Sequence, residues 1–298
     1  MPYCGRVAPS PTGHLHLGHA RTFWFARERA RRAGGRLLLR IEDIDGARCR
    51  REFVNALTED LRWVGVDWDG VPLLQSDRYD RFRAALLVLL RHGHVYPCYC
   101  SRRDVQMAAG APHPGQDEAV YPGICRPVSS SHVDPEMDWE RFQREFNTRR
   151  GDRMPCWRFR VPDGSRINFL DERCGAKSYR GGEDFGDFVL WRSDGVVSYQ
   201  LACVVDDSET GVTEVVRGED LLVSTARQLL LYRALGLNPP RWLHCGLVMD
   251  ESGNRLAKRS AAAGLRELRE RGCDPSAWHA LWRREFEDEI RPASAEIE

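Results

Sequence analysis

Residues 6–19 read Arg6-Val7-Ala8-Pro9-Ser10-Pro11-Thr12-Gly13-His14-Leu15-His16-Leu17-Gly18-His19, and no other stretch constrains the chain as much. A short apolar start, Val7-Ala8, runs into a turn built from Pro9, Pro11 and Gly13, and a helical run follows over 20–33. A strand, a tight turn and a helix N-terminus together make a seat for an anion. Free backbone N–H groups and the positive helix end both face it. Gly18 allows close approach to the backbone, and the imidazoles of His16 and His19 add donors that can follow a shifting charge. A bare His-x-Gly-His is also what a turn with surface histidines looks like, so the weight falls on partner motifs downstream.

Residues 36–41 read as a buried strand ending in Glu42-Asp43-Ile44-Asp45. Acids at the carboxyl end of a parallel strand lie where α/β folds place ligands, although Asp43 and Asp45 also suit capping of the next helix. Apolar residues at helical spacing mark 50–64 and 78–92 as packing helices, with Trp63, Trp68 and 86–90 in the core. Residues 197–205 are apolar enough to read as a strand running to Asp206-Asp207. Another strand over 212–216 leads through Arg217-Gly218-Glu219-Asp220 into a helix near Ser224, and Glu219 or Asp220 offers Arg217 an ion pair. A strand at 242–248 and helices over 261–271 and 275–286 precede an acidic tail.

The texture changes over 98–195. Cys98-Tyr99-Cys100, a Gly/Pro-rich loop at 110–116 and the run Tyr121-Pro122-Gly123-Ile124-Cys125 bring three thiols close in sequence. Three thiolates suggest a tetrahedral zinc, for which His113 and His132 are generic fourth ligands. Free thiols in a reducing compartment are the alternative. Short strand-like pieces sit at 157–161 and 185–192, and Arg149, Arg150 and Arg153 suit either phosphate contact or a solvated face.

The 298 residues carry 44 basic and 44 acidic side chains, so any nucleic-acid surface must be a local patch. The longest strongly apolar run, 84–90, is too short to span a bilayer, and no signal peptide is expected. Ten scattered cysteines point to a reducing cytosol. Only Lys177 and Lys258 are lysines; the rest of the 44 cations are arginines. Where arginine serves as the general cation, a lysine has a reason to be kept, because its compact mobile charge cannot be copied by a planar guanidinium. That singles out Lys258.

Taken together, these motifs resemble the class I aminoacyl-tRNA synthetases, whose ATP-binding signature is His-x-Gly-His. The preceding Ala8-Pro9-Ser10-Pro11-Thr12-Gly13, the run at 40–45 and the thirty residues around Arg217 narrow the resemblance to the glutamyl/glutaminyl branch. Residues 250–259 resemble the second signature, Lys-Met-Ser-Lys-Ser, of which only the second lysine survives, as Lys258; Ala257 lacks the serine hydroxyl. The resemblance implies an α/β fold in which a Rossmann-like, doubly wound parallel sheet is split by a zinc-bearing insertion and followed by a short helical tail. The expected division is 1–97 and 196–260 for the two halves of the catalytic domain, 98–195 for an acceptor-type insertion, and 261–298 for the tail.

It also implies site residues. Arg6, Val7, Ala8, Pro9, Ser10, Glu42, Tyr199 and Arg217 would hold glutamate, the guanidinium groups answering its carboxylates and Glu42 its ammonium. Pro9, Thr12, His16, Gly18, His19 and Lys258 would hold ATP, with His16, His19 and Lys258 catalytic and magnesium as counter-ion. Within the branch, the short glutamyl-queuosine tRNA(Asp) synthetases complete a Cys-x-Cys with Tyr-x-x-x-Cys, which here gives Cys98, Cys100, Tyr121 and Cys125 as the ligands of one structural zinc. Only forty residues follow Lys258, where a glutamyl-tRNA synthetase carries its anticodon-binding region. The implied partners are L-glutamate, ATP and queuosine-bearing tRNA(Asp), for a cytoplasmic monomer without membrane contact. A truncated glutamyl-tRNA synthetase charging tRNA(Glu), or a tRNA-binding paralogue without activity, are the other readings.

Overall fold

The computed structural model describes residues 1–109, 120–129, 133–248 and 264–290. Lys258, the rest of the second signature, His113, His132 and the acidic tail lie outside these residues. The first element, β1 (Cys4–Val7), is buried and pairs in parallel with β2 (Arg36–Ile41), which pairs in parallel with the short β3 (Leu73–Leu74). Helix α1 (Leu17–Arg32) crosses between β1 and β2, and α2 (Arg51–Trp63) leads toward β3, as right-handed crossovers require.

Helix α3 (Tyr79–Arg91) then delivers the chain to β4 (Val95–Cys98). After α4 (Arg102–Ala109) and α5 (Trp139–Glu145), β5 (Cys156–Phe159) pairs antiparallel with β4 and with β8 (Phe188–Trp191), making a separate three-stranded sheet. Between them, β6 (Arg166–Asp171) and β7 (Gly175–Arg180) form a hairpin that belongs to another sheet. Helix α6 (Tyr199–Glu209) leads to β9 (Glu214–Gly218), α7 (Leu222–Ala234) and β10 (Arg241–Cys245), and β9, β10 and β6 are parallel neighbours.

The two parallel groups meet where β1 lies beside β9, with the Thr213 amide donating to the Cys4 carbonyl at 2.8 Å. The strand order reverses there, which is where open α/β sheets bind ligands beyond their carboxyl ends. The arrangement is an α/β fold with mixed sheets. No helix of the described residues is long and apolar enough to cross a membrane.

Two local expectations are corrected. Residues 197–205, read as a strand running to Asp206-Asp207, lie from Tyr199 onward in helix α6 (Tyr199–Glu209), capped by Ser198. Gln200 through Asp207 are all buried, so this helix has no polar face and shows no helical period. Asp43 and Asp45 do not cap α2. Asp43 accepts from the Ser76 amide and hydroxyl, and Asp45 from Arg48 and Arg192.

Helix α8 (Leu265–Glu270) packs on α2, while α1 presents Trp24 and Phe25 to α9 (Ser276–Glu289), where Phe286 meets Phe25 edge-on at 5.1 Å. Glu285 and Glu289 of α9 both receive Arg21 of α1, and Glu289 also accepts the Gly246 amide. The C-terminal helix thus ties together two segments that reach the sheet ends. Phe286 is fully buried, so Phe286→Ala should cost about 3–5 kcal/mol, measured as a lowered urea midpoint at unchanged slope.

Candidate active site

A cavity of about 340 Å³ opens at the carboxyl ends of β1, β2, β9 and β10. Its wall gathers Arg6, Ala8, Pro9, Ser10 and Glu42 from the first parallel group, and Tyr199 and Arg217 from the second half of the chain. His16, Gly18 and His19 enter at the start of α1. Val7 is buried in the core cluster under α1 and does not line the cavity. Thr12 lies in a wider neighbouring cleft, which shares Ser10, Glu42 and Tyr199 with the first and extends to the cysteine cluster.

The anion seat has the form expected from its sequence. His16 is the N-cap of α1 and its Nδ1 accepts the Gly18 amide at 3.1 Å. No acidic residue occupies the first turn, so the helix end keeps its positive potential. The His16 and His19 rings stack at 3.7 Å. A Cβ at residue 18 would stand 3.1 Å from the His16 ring, so a larger residue there would have to push that ring aside.

Beneath the seat runs a line of buried charge. Arg40 donates to Asp207 and, at 3.0 Å, to Glu42 Oε1. Arg6 Nε lies 3.5 Å from the same Asp207 carboxylate, and its Nη1 donates to the Val216 carbonyl at 3.1 Å. Cys203 donates its thiol to Glu42 Oε1 at 3.4 Å. Glu42 is therefore held from below while its other oxygen turns toward Ser10.

Arg217 is held differently. Its Nε donates to His244 Nε2 at 3.1 Å, Nη1 to Gln228 at 2.9 Å and Tyr199 Oη at 3.2 Å, and Nη2 to Thr225 at 2.6 Å. Among the described residues no carboxylate pairs with it, so the alternative of a structural ion pair with Glu219 or Asp220 is not realised; Glu219 binds Arg173 instead. The chain turns into helix after Gly218, and the guanidinium points back among α7 side chains. Burial pushes the Tyr199 phenol up, so it stays a neutral partner. A buried cation with neutral neighbours favours an anion in the cavity.

At the far end of the wider cleft, Cys98, Cys100 and Cys125 bring all three sulfurs within 4.8 Å of one another. Cys100 and Cys125 stand 3.5 Å apart, and Tyr121 Oη lies 3.3 Å from Cys98 and 3.8 Å from Cys100. Tetrahedral zinc with its usual bond lengths needs sulfur–sulfur edges of about 3.8 Å and sulfur–oxygen edges of about 3.5 Å. These residues fit a metal of that size. Cys156, opposite Cys98 across the β4–β5 pair, adds a fourth thiol that spacing alone did not reveal. Its hydrogen bond, with that of Tyr121, holds Cys98 below the usual thiol range. Arg149, Arg150 and Arg153 are exposed, and Arg153 pairs with Asp104.

The family model for the catalytic domain of class I tRNA synthetases (E and Q) matches residues 4–289. The chain belongs to this family. Among class I E and Q synthetases, it is 47% identical over 277 residues to a glutamyl-Q tRNA(Asp) synthetase of Nitratidesulfovibrio vulgaris, covering 90% of this chain and 81% of that protein. It is also 47% identical to the protein of that name from Symbiobacterium thermophilum, covering 91% of this chain and 83% of the relative. A solved glutamate tRNA ligase from Elizabethkingia meningosepticum, in complex with its amino acid, superposes with a TM-score of 0.75 at 27% identity. That match takes in 95% of this chain but 60% of the ligase, so the chain spans about three fifths of that structure.

In this E and Q synthetase, sequence reasoning missed Arg40, Asp207, His244, Thr225 and Gln228. Asp207 was visible only as the second acid of Asp206-Asp207, and nothing local marked it as a partner of β1 and β2. Asp207→Asn would leave buried Arg40 with Glu42 as its one carboxylate partner and buried Arg6, 5% exposed, with none among the described residues. The expected loss is about 3–5 kcal/mol of stability in urea unfolding.

Proposed function

We infer that this chain activates glutamate with ATP as glutamyl-adenylate and transfers it to queuosine at the wobble position of tRNA(Asp). The observation that carries this reading is 47% identity, across 81% of its own length, to a relative that bears the name glutamyl-Q tRNA(Asp) synthetase. The cavity supports it. Arg6 and Arg217 bring positive charge and Tyr199 a phenol to its wall, to answer carboxylates, and Glu42 offers an ammonium an acceptor. Ala8, Pro9 and Ser10 line the same cavity, and Val7 lies in the core beneath.

In the first step a glutamate α-carboxylate oxygen attacks the α-phosphorus of ATP. The mixed anhydride forms as the bond to pyrophosphate breaks. A carboxylate is already a nucleophile, so positioning and electrostatics carry the rate rather than a general base. Pro9, Thr12 and Gly18 line the approach of ATP, and His16, His19 and Lys258 stabilise the charge spreading over its phosphates, with magnesium as counter-ion. In the second step a hydroxyl of the queuosine cyclopentenediol attacks the glutamyl carbonyl carbon. AMP leaves, and the hydroxyl proton is lost.

Cys98, Cys100, Tyr121 and Cys125 would hold one zinc, closed by protein ligands and therefore structural, tying the 98–125 segment to β4. We place 98–195 as the insertion that meets the tRNA, and the enzyme as a cytoplasmic monomer. One zinc per chain is expected by elemental analysis of the purified protein, and Cys125→Ser should lower that content severalfold.

The function is tested with labelled glutamate and ATP, in parallel reactions on tRNA(Asp) with and without queuosine and on tRNA(Glu), the label being mapped by nuclease digestion. Label at the anticodon only when queuosine is present is the expected result. Label at the 3′ end of tRNA(Glu) would make this a minimal glutamyl-tRNA synthetase, and no label on either tRNA would leave a binding paralogue. ATP–pyrophosphate exchange with glutamate should proceed without tRNA.

A further inference from the structure

The neutral shell around Arg217 contains one group whose protonation is dictated by its neighbours. His244 lies on β10 and is fully buried. Its Nε2 receives the Arg217 Nε–H at 3.1 Å, and a guanidinium nitrogen can only donate. Thr225 Oγ1 stands 3.0 Å from the same Nε2 and itself accepts from Arg217 Nη2. Nε2 must therefore be bare, and the imidazole proton sits on Nδ1. There it meets Asp171 Oδ2 at 2.6 Å. The Asp171 carboxylate is in turn fixed by backbone donors. Cys174 and Arg173 reach Oδ1 at 2.8 and 3.1 Å, and the His244 amide reaches Oδ2 at 3.1 Å.

We propose that Asp171 and His244 form a positioning relay that sets the imidazole tautomer and thereby aims the Arg217 guanidinium at the anionic end of the amino-acid substrate. Neither residue lines the cavity, so neither is catalytic. Their effect passes through Arg217. The relay rests on the reading of the cavity as an amino-acid site, and it also links two parts of the chain. Asp171 ends β6 within the 98–195 stretch, and its one register partner on β10 is Trp242, over whose ring the Arg217 guanidinium lies at 4.8 Å.

The electrostatics agree. Burial works against the Asp171 charge, but hydrogen bonds from His244 and the Cys174 amide bring its carboxyl down to about 2. Burial first, and the Arg217 charge with it, hold His244 below the ordinary imidazole range despite Asp171. The pair is a carboxylate and a neutral imidazole, as the hydrogen-bond directions require.

Three variants separate aiming from mere packing. His244→Gln places a side-chain carbonyl near the Nε2 position and keeps an acceptor for Arg217. His244→Phe keeps ring volume without an acceptor. In Asp171→Asn the two backbone donors at Oδ1 hold the amide oxygen there, so the amide N–H faces Nδ1. The imidazole proton is then forced to Nε2, against Arg217.

The glutamate KM in ATP–pyrophosphate exchange should rise about tenfold or more in His244→Phe and Asp171→Asn, with the ATP KM near that of the unaltered protein. His244→Gln should stay within a few-fold. Independently of activity, ¹⁵N NMR of the unaltered protein should show His244 Nδ1 protonated and Nε2 bare. A proton on Nε2, or an unchanged glutamate KM in folded His244→Phe, would overturn the relay. Absence of glutamate-dependent exchange in the unaltered protein would instead count against the functional reading, and the NMR result would still decide the relay.

Discussion

The buried carboxylate of Asp207 is the interaction on which the rest of the site depends. It sits on α6 and receives Arg40 from β2 and lies against Arg6 from β1, so one anion pins the carboxyl ends of two adjacent parallel strands. Arg40 passes that constraint on to Glu42. Charges removed from water are stable only with well-placed partners, and each guanidinium here would be costly to leave alone. The geometry above the sheet is thus set by the chain's own contacts, as a site that works by positioning requires.

The second half of the cavity is built on a different principle. Arg217 has hydroxyls, an amide and an imidazole around it in place of an acid. Its charge is kept oriented but not cancelled within the described residues. Arg6, with Asp207 beside it, is largely compensated, whereas Arg217 remains the stronger lure for an incoming carboxylate. The two arginines match in sequence logic and differ in electrostatic role. The α1 start adds a third arrangement, in which the backbone amides of a helix N-terminus supply positive potential beside two stacked imidazoles. The three together grade the cavity from a fixed charge pair to a polarisable donor set.

Much of this was legible along the chain. The turn and capped helix at 8–19 follow from proline, glycine and histidine spacing. The apolar run at 36–41 is a strand because a parallel sheet covered on both faces selects such runs. The Cys-x-Cys spacing with Cys125 nearby anticipated the three-thiol cluster that the fold assembles, whereas Tyr121 entered only through the family resemblance. Helix α6 was misread for an instructive reason. Its core-facing residues surround it on all sides, so the period that separates helix from strand is missing, and β-branched Val204 and Val205 tilt local preference the wrong way. The ion pair that Glu219 or Asp220 offered Arg217 as an alternative is not made, because closeness in sequence does not set side-chain direction across a strand-to-helix junction.

The sequence by itself determined the parts whose physics is local: a glycine-dependent anion seat, strand-end acids and arginines, and cysteines at ligand spacing. Tertiary structure alone decided which distant groups meet. Asp207 reaches Arg40 and Arg6, Asp171 and His244 reach Arg217, and Cys156 faces Cys98 only through sheet order, register and helix packing. Those contacts join residues separated by tens to hundreds of positions, and their partners are ordinary buried polar side chains. No motif announces them, because a hydrogen bond records a distance in space and leaves no period in the chain.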